Sequence, residues 1–119
     1  MRFAPLLGTA ALALMVTAGC SSTTYGGGNG CTSTATKVCA VDNAFSPLTL
    51  TVAAGTTVSW ENGGGTTHSV TSDTAESFNT DLPPGQTTSH KFNPAGTYTF
   101  HCRFHGAPGA GMHGTITVN

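Results

Sequence analysis

From residue 37 onward, the chain consists of short runs in which threonine, valine and aromatic residues alternate. Glycine, proline and asparagine interrupt these runs at short intervals. Alternation with a period of two is typical of half-buried strands, and many short strands separated by turns indicate a sandwich or a barrel. We therefore predict an all-β fold with strands at residues 37–41, 48–52, 56–61, 68–71, 87–92, 97–102 and 115–118.

The same alternation predicts which side chains face the core. In residues 97–102, Tyr98, Phe100 and Cys102 share one face and His101 lies on the other. Residues 81–85, DLPPG, are predicted to form a rigid turn, because proline cannot occupy a central strand. The predicted core comprises Tyr98, Phe100 and Cys102, together with Val38 or Ala40, Phe45, Leu48, Leu50, Val52, Val58, Trp60, Val70, Phe92, Ile116 and Val118.

The N-terminal region has the features of an export signal. Residues 3–16 are almost continuously apolar and follow Arg2, but they are too few to span a bilayer, which needs about 20 residues. We interpret residues 1–19 as a secretory signal peptide. The small residues before Cys20 resemble a bacterial lipobox, in which that cysteine is lipidated and anchors the protein to a membrane. Ordinary cleavage that leaves a plain thiol is the alternative. Either reading predicts a bacterial protein of the periplasm or cell surface.

Residues 20–36 are mostly glycine, serine and threonine, so they are predicted to form a flexible linker ahead of a single domain at residues 37–119. An oxidising location permits a disulfide between Cys31 and Cys39. Cys102 then has no partner, and metal ligation is one reason to keep such a thiol. The formal net charge is −1 and only 8% of residues are charged, which argues against nucleic-acid binding.

Soft metal ligands are concentrated near the C-terminus. Cys102, His105 and Met112 lie within a short stretch, and His68 opens a predicted strand after a glycine-rich loop. Two imidazoles and a thiolate with a weak axial methionine form the blue-copper electron-transfer site. Zinc is an alternative, since cysteine and histidine also suit that metal.

Two segments of the chain resemble the cupredoxin family, specifically its plastocyanin, pseudoazurin and halocyanin type. The first is FSPLTLTVAAGTTVSWENGG followed by HSVTSD, and the second is PPGQTTSHKFNPAGTYTFHCRFH with GMHGTITV. The resemblance implies a Greek-key β-sandwich of about seven to eight strands. It also implies one type 1 copper ion with His68, Cys102, His105 and Met112 as ligands.

The family resemblance further implies a monomeric electron carrier, not an enzyme. Its redox donor and acceptor would dock near His105 and the loop of residues 106–111. This loop is longer than is usual in plastocyanin-like proteins, and its glycines suggest flexibility. Copper storage or delivery, a zinc-loaded structural module, and an accessory domain of a larger redox enzyme are the alternative functions.

Three further histidines need an interpretation. His101 is expected to be a solvated surface imidazole, with a second electron route beside Cys102 as the alternative. His113 is expected to face away from the metal, although it could replace Met112 as a ligand. His90 is expected on the surface of its strand.

Overall fold

The computed structural model describes residues 30–74 and 78–119. These residues form nine β-strands and no helix. Within this part of the chain there is accordingly no helix long and apolar enough to cross a membrane. The strands are β1 (Lys37–Val41), β2 (Ala44–Ser46), β3 (Thr49–Val52), β4 (Thr56–Asn62), β5 (His68–Ser72), β6 (Asn79–Leu82), β7 (Thr87–Phe92), β8 (Gly96–Ala107) and β9 (Ala110–Val118).

The strands form two mixed sheets, which confirms the predicted Greek-key β-sandwich. One sheet has the order β2-β1-β4-β7 and the other has the order β3-β9-β8-β5-β6. Each sheet contains one parallel pair, β1 with β4 and β3 with β9, and its other pairs are antiparallel. Strands that are neighbours in sequence therefore often lie in different sheets, and the chain crosses between the two layers.

Aromatic rings fill the space between the two sheets. Trp60 from β4 is 1% exposed, and its ring centroid lies 5.5 Å from that of Phe100 on β8 and 6.3 Å from that of Phe92 on β7. Phe45 packs edge-on against Phe100 with centroids 4.8 Å apart. Because β8 carries both Phe100 and Cys102 on its buried face, this aromatic core fixes the strand that presents the thiol.

The predicted core is largely correct, with one error. Leu48 is 57% exposed, because it precedes the first residue of β3, which is an edge strand. Tyr98 packs against the core while only partly buried. The core also contains Leu82 and Met112, which the alternation did not identify.

Several strand boundaries differ from prediction. Strands β2 and β6 were missed, because each has a single buried residue and therefore shows no alternation. Asp81 and Leu82 belong to β6, so the predicted turn at residues 81–85 is shorter and begins at Pro83. Strands β8 and β9 both extend past their predicted ends, with consequences for the site.

The segment before β1 is attached to the sandwich. Cys31 and Cys39 form a disulfide with Cα atoms 5.7 Å apart, and Thr34 pairs with Lys37. Cys31 also packs closely against Gly63, where an added Cβ would lie 2.6 Å from the Cys31 Cβ. The predicted signal peptide, Cys20 and residues 20–29 of the predicted linker lie outside the described residues.

Candidate metal centre

Three adjacent strands bring the predicted ligands to one end of the sandwich. His68 is the first residue of β5, Cys102 and His105 lie on β8, and Met112 lies on β9. Strand β8 runs between β9 and β5 in the sheet. The β8–β9 register shifts between His101 and Gly106, so the chain bulges where it carries both the thiol and the second imidazole. Bulges of this kind re-aim side chains, and here the bulge allows two residues of one strand to face the same point.

The donor atoms of His68, Cys102 and His105 form a compact triangle. The two Nδ1 atoms are 3.1 Å apart, and the Cys102 Sγ lies 3.9 Å from the His68 Nδ1 and 3.5 Å from the His105 Nδ1. A point equidistant from the three atoms is about 2 Å from each, which matches metal–nitrogen and metal–sulfur bonds of about 2.0–2.3 Å. They are the only group of three or more histidine, cysteine, aspartate or glutamate residues in the described ranges placed to hold a metal ion.

The Cys102 thiol is sheltered and accepts a backbone hydrogen bond. Its residue is fully buried, and the Ser69 N–H lies 3.3 Å from the sulfur. Among the described residues it is the only free cysteine. A hydrogen bond from a backbone amide stabilises negative charge on the sulfur, and the thiolate is the form that binds metals. The buried sulfur is therefore held in place by the Ser69 N–H, in a position where it can act as a metal ligand.

His68 is held in the form that a metal requires. Its residue is fully buried, and burial lowers its pKa below the usual 6.5; the nearby His105 lowers the pKa further, while Asp42 opposes the shift. A lowered pKa keeps the imidazole neutral, so that Nδ1 can offer its lone pair. The Nε2 atom then carries the proton, and it is buried without a hydrogen-bond partner among the described residues.

Asn62 positions the loop that leads to His68. Its side chain is buried, and Nδ2 donates hydrogen bonds of 2.7 Å to the carbonyl oxygens of Thr66 and Leu82. Its Oδ1 accepts the Gly64 N–H at 2.9 Å. Sequence analysis missed this role, and the only signal for it was an asparagine directly before a glycine triplet.

The loop of residues 106–111 is not the flexible segment that we expected. Gly106 pairs with Gly111 and Ala107 pairs with Ala110, so the two strands continue to a tight turn at Pro108 and Gly109. Gly109 has a φ of 70°, a conformation that glycine adopts easily. The additional residues therefore extend a hairpin, and Met112 enters the core 1% exposed.

The remaining histidines differ in their surroundings. His101 was expected to be solvated, but it is half-buried and its Nδ1 lies 2.5 Å from the Asp73 Oδ1. His113 is also half-buried, and its Nδ1 donates to the Gly111 carbonyl at 2.9 Å. His90 lies on β7, in the other sheet, and packs against the rings of Phe78 and Phe92.

Ser69 links the two strands that carry His68 and Cys102. In addition to the backbone bond to sulfur, its buried Oγ accepts the Arg103 N–H at 2.9 Å and lies 2.9 Å from the Thr71 Oγ1.

We expect Ser69→Ala to lower the free energy of unfolding by about 1–2 kcal/mol, because the Arg103 N–H loses its acceptor. The exposed Ser89 on β7 offers a matched control. Ser89→Ala should change stability by less than about 0.5 kcal/mol, and equal effects of the two variants in urea unfolding would contradict this role.

A buried thiol, two imidazoles and a buried methionine on a two-sheet β-sandwich define the type 1 copper class of protein. The chain belongs to the cupredoxin family, since a family model described as a cupredoxin-like domain matches residues 9–118. One type 1 copper ion is accordingly the cofactor of this fold and donor set.

Individual relatives are consistent with this assignment. The chain is similar to plastocyanin of Scenedesmus fuscus, at 40% identity over 85 residues that cover 62% of this chain and 85% of that protein. Its structure resembles a purple cupredoxin from Nitrosopumilus maritimus, with a TM-score of 0.61 and 28% identity over 70% of this chain and 98% of the other. It also resembles amicyanin from Paracoccus versutus, with a TM-score of 0.61 and 27% identity over 70% of this chain and 79% of the other.

Proposed function

We propose that this chain is an exported blue copper protein that carries single electrons between redox partners. His68, Cys102 and His105 are its proposed equatorial ligands, and Met112 is its proposed axial ligand. The triangle of two Nδ1 atoms and one Sγ, with an equidistant point about 2 Å from each, is the observation that supports this proposal most directly.

The donor set suits a carrier because it serves two oxidation states. When bound, copper supplies the Cu(II)/Cu(I) couple. Cysteine and methionine sulfur favour the reduced ion, and imidazole nitrogen also suits the oxidised one. Cys102, His68 and Met112 are each at most 1% exposed and are held by packed strands. Such residues move little when the charge of the site changes, so the electron is exchanged with little rearrangement.

Partners are proposed to dock around His105, the one half-buried ligand. Phe104 beside it is 51% exposed, with the Arg103 guanidinium 4.8 Å from its ring centroid. The hairpin tip at residues 107–110 is exposed and carries only alanine, proline and glycine. Apart from Arg103, the side chains named here carry no formal charge, which fits a brief contact between two redox proteins.

We further propose that the protein exchanges electrons with its partners while it is anchored to a membrane. The apolar N-terminal run and the residues preceding Cys20 support export and a lipid anchor on that cysteine. The glycine- and serine-rich residues that follow would allow the domain to reach partners over a range of about 20 Å. The proposed carrier is a monomer that does not catalyse a reaction of its own.

The proposal is tested by adding one equivalent of Cu(II) to the purified chain. We expect an intense visible band from thiolate-to-copper charge transfer and a Cu(II) EPR signal with the narrow copper hyperfine splitting of a covalent copper–thiolate bond. A colourless oxidised protein would contradict the site assignment. Rapid loss of copper to a competing chelator would instead favour copper delivery, which the burial of Cys102 argues against.

A further inference from the structure

The loop of residues 63–67, which connects β4 to His68, begins with three consecutive glycines. Glycine loses more conformational freedom on folding than any other residue, so a glycine triplet does not hold one conformation by itself. His68 pairs with Leu82 of β6, a four-residue strand at the edge of its sheet. Strand β5 pairs with β8 further along, at Thr71 and Ser72. The position of the His68 imidazole therefore depends also on contacts that fix this loop.

The end of β1 provides some of these contacts. Ala40 of β1 lies opposite Asn62, the last residue of β4, in the parallel register of the two strands. The Gly63 N–H donates a hydrogen bond of 2.9 Å to the Ala40 carbonyl oxygen. The Gly65 N–H donates one of 3.3 Å to the Asp42 Oδ1. The first and third residues of the loop are thus tied to β1 and to the residue that follows it.

The disulfide between Cys31 and Cys39 places a further residue against the loop. Gly63 is buried, and an added Cβ there would lie 2.6 Å from the Cβ, 2.8 Å from the nitrogen and 3.3 Å from the Cα of Cys31. Residues 32–36, which follow Cys31, are exposed. Cys39 is 2% exposed within β1, so the covalent bond ties Cys31 to a buried strand of the sandwich and keeps it on Gly63.

We propose that the Cys31–Cys39 disulfide is a positioning element for His68. By holding Cys31 against Gly63, it restricts the loop to the conformation in which the His68 Nδ1 lies 3.9 Å from the Cys102 Sγ. Metal centres need such support, because a ligand is held precisely only when the residues behind it are themselves fixed. The inference rests on the proposed function, in which His68 is a copper ligand.

The first test removes the disulfide with Cys31→Ala and Cys39→Ala together, and measures the transfer of copper from the loaded chain to a chelator. We expect copper to leave this double variant about tenfold faster, at the lower end of the effects of losing a contact that orients a metal ligand. The effect is limited because Asn62 still holds the loop through the Thr66 carbonyl. The visible band before chelation reports that the variant is folded. A folded double variant that releases copper at the original rate would overturn the proposal.

Gly63→Ala tests the same contact while the disulfide is intact. The new methyl group meets Cys31, which the disulfide holds in place, so the loop must shift and copper should again leave faster. Gly65→Ala is the matched control in the same loop, because an added Cβ there meets no atom within 4 Å. If Gly63→Ala releases copper no faster than Gly65→Ala, the proposal is wrong, whether or not the disulfide-free chain folds.

Combining the variants shows whether Gly63 acts through the disulfide. Without the covalent bond, residue 31 can move away from an alanine at position 63. Gly63→Ala should therefore add little to the copper release of the chain that carries Cys31→Ala and Cys39→Ala, since residues in contact have non-additive effects. An equal effect of Gly63→Ala in both backgrounds would contradict the proposed role of the disulfide.

Hydrogen exchange of the metal-free chain separates this inference from the copper assignment. In the disulfide-free variant, the Gly63 N–H that donates to Ala40 should exchange faster, and by a larger factor than the amides that pair β9 with β8. An equal factor at both places would show a general loss of stability and overturn the positioning role. A colourless unmodified chain would instead contradict the proposed function, and hydrogen exchange would then decide alone whether the disulfide fixes the loop.

Discussion

Replacing Cys102 by serine is expected to abolish the intense visible absorption of the copper-loaded protein. That absorption requires a thiolate that donates charge to copper, and a serine hydroxyl is neither ionised at neutral pH nor a soft ligand. The loss should be complete, because Cys102 is the only free cysteine among the described residues. The measurement is a visible spectrum after addition of one equivalent of Cu(II).

The Cys102→Ser variant should remain folded, so that the result concerns the ligand and not the fold. Serine has nearly the same shape as cysteine, and the Ser69 N–H that now lies 3.3 Å from the sulfur can donate to its hydroxyl. Circular dichroism of the metal-free protein would verify the fold. His90→Ala, on the other sheet, should keep its colour. Persistence of the band in Cys102→Ser would show that another residue supplies the thiolate-like ligand, and the assignment of the site would be wrong.

The sandwich was predictable because most of its strands have one buried and one exposed face. Strands β1 and β7 have the bounds that the alternation of residues predicted. Strand β6 buries only Leu82, and β2 buries only Phe45, so neither has a pattern to detect. Leu48 shows the opposite error: it was predicted to be buried because it continues the apolar alternation of β3, but it lies just before the first residue of that strand and is exposed. Alternation therefore predicts strands that bury or half-bury several residues on one face and misses strands that bury only one.

The donor set could be proposed from residue type and order, but its supporting contacts could not. Ser69 lies next to His68 in the sequence, yet its value to the site comes from Cys102 and Arg103, more than thirty positions away. His101 pairs with Asp73, 28 positions away in the sequence, and this contact orients an imidazole that was expected to be solvated. Such partners depend on which strands become neighbours, and strand order is not contained in local periodicity.

The hairpin beyond His105 is the clearest case in which composition suggested the wrong behaviour. Three glycines, two alanines and a proline between His105 and Met112 suggested a flexible loop. In the structure, Gly106 and Gly111 instead allow two backbones to approach closely. A Cβ at Gly106 would lie 2.6 Å from both the backbone nitrogen and the carbonyl oxygen of Met112. Glycine is therefore required here for packing against the strand that carries Met112, the proposed axial ligand.

This close approach predicts that Gly106→Ala has the largest stability effect of the variants considered. The atoms that the new methyl group would meet belong to the backbone of Met112 and, at 2.8 Å, to the Ala110 carbonyl oxygen. Backbone atoms cannot rotate away as a side chain can, so β8 and β9 must separate at this point. We expect a loss of about 2–3 kcal/mol from overpacking, and a thermal midpoint lower by about 10 °C or more for a domain of this size.

Gly106→Ala should also change the copper site, because Met112 is carried by the displaced strand. We expect the visible and EPR spectra of the copper-loaded variant to shift, together with its reduction potential, while a thiolate-to-copper band remains. Gly65→Ala is the matched control: an added Cβ there meets no atom within 4 Å, and Gly65 has no positive φ. It should melt within a few degrees of the unmodified protein and keep the original spectra. If Gly106→Ala melts like Gly65→Ala and its spectra are unchanged, the close contact between Gly106 and Met112 does not position the axial ligand.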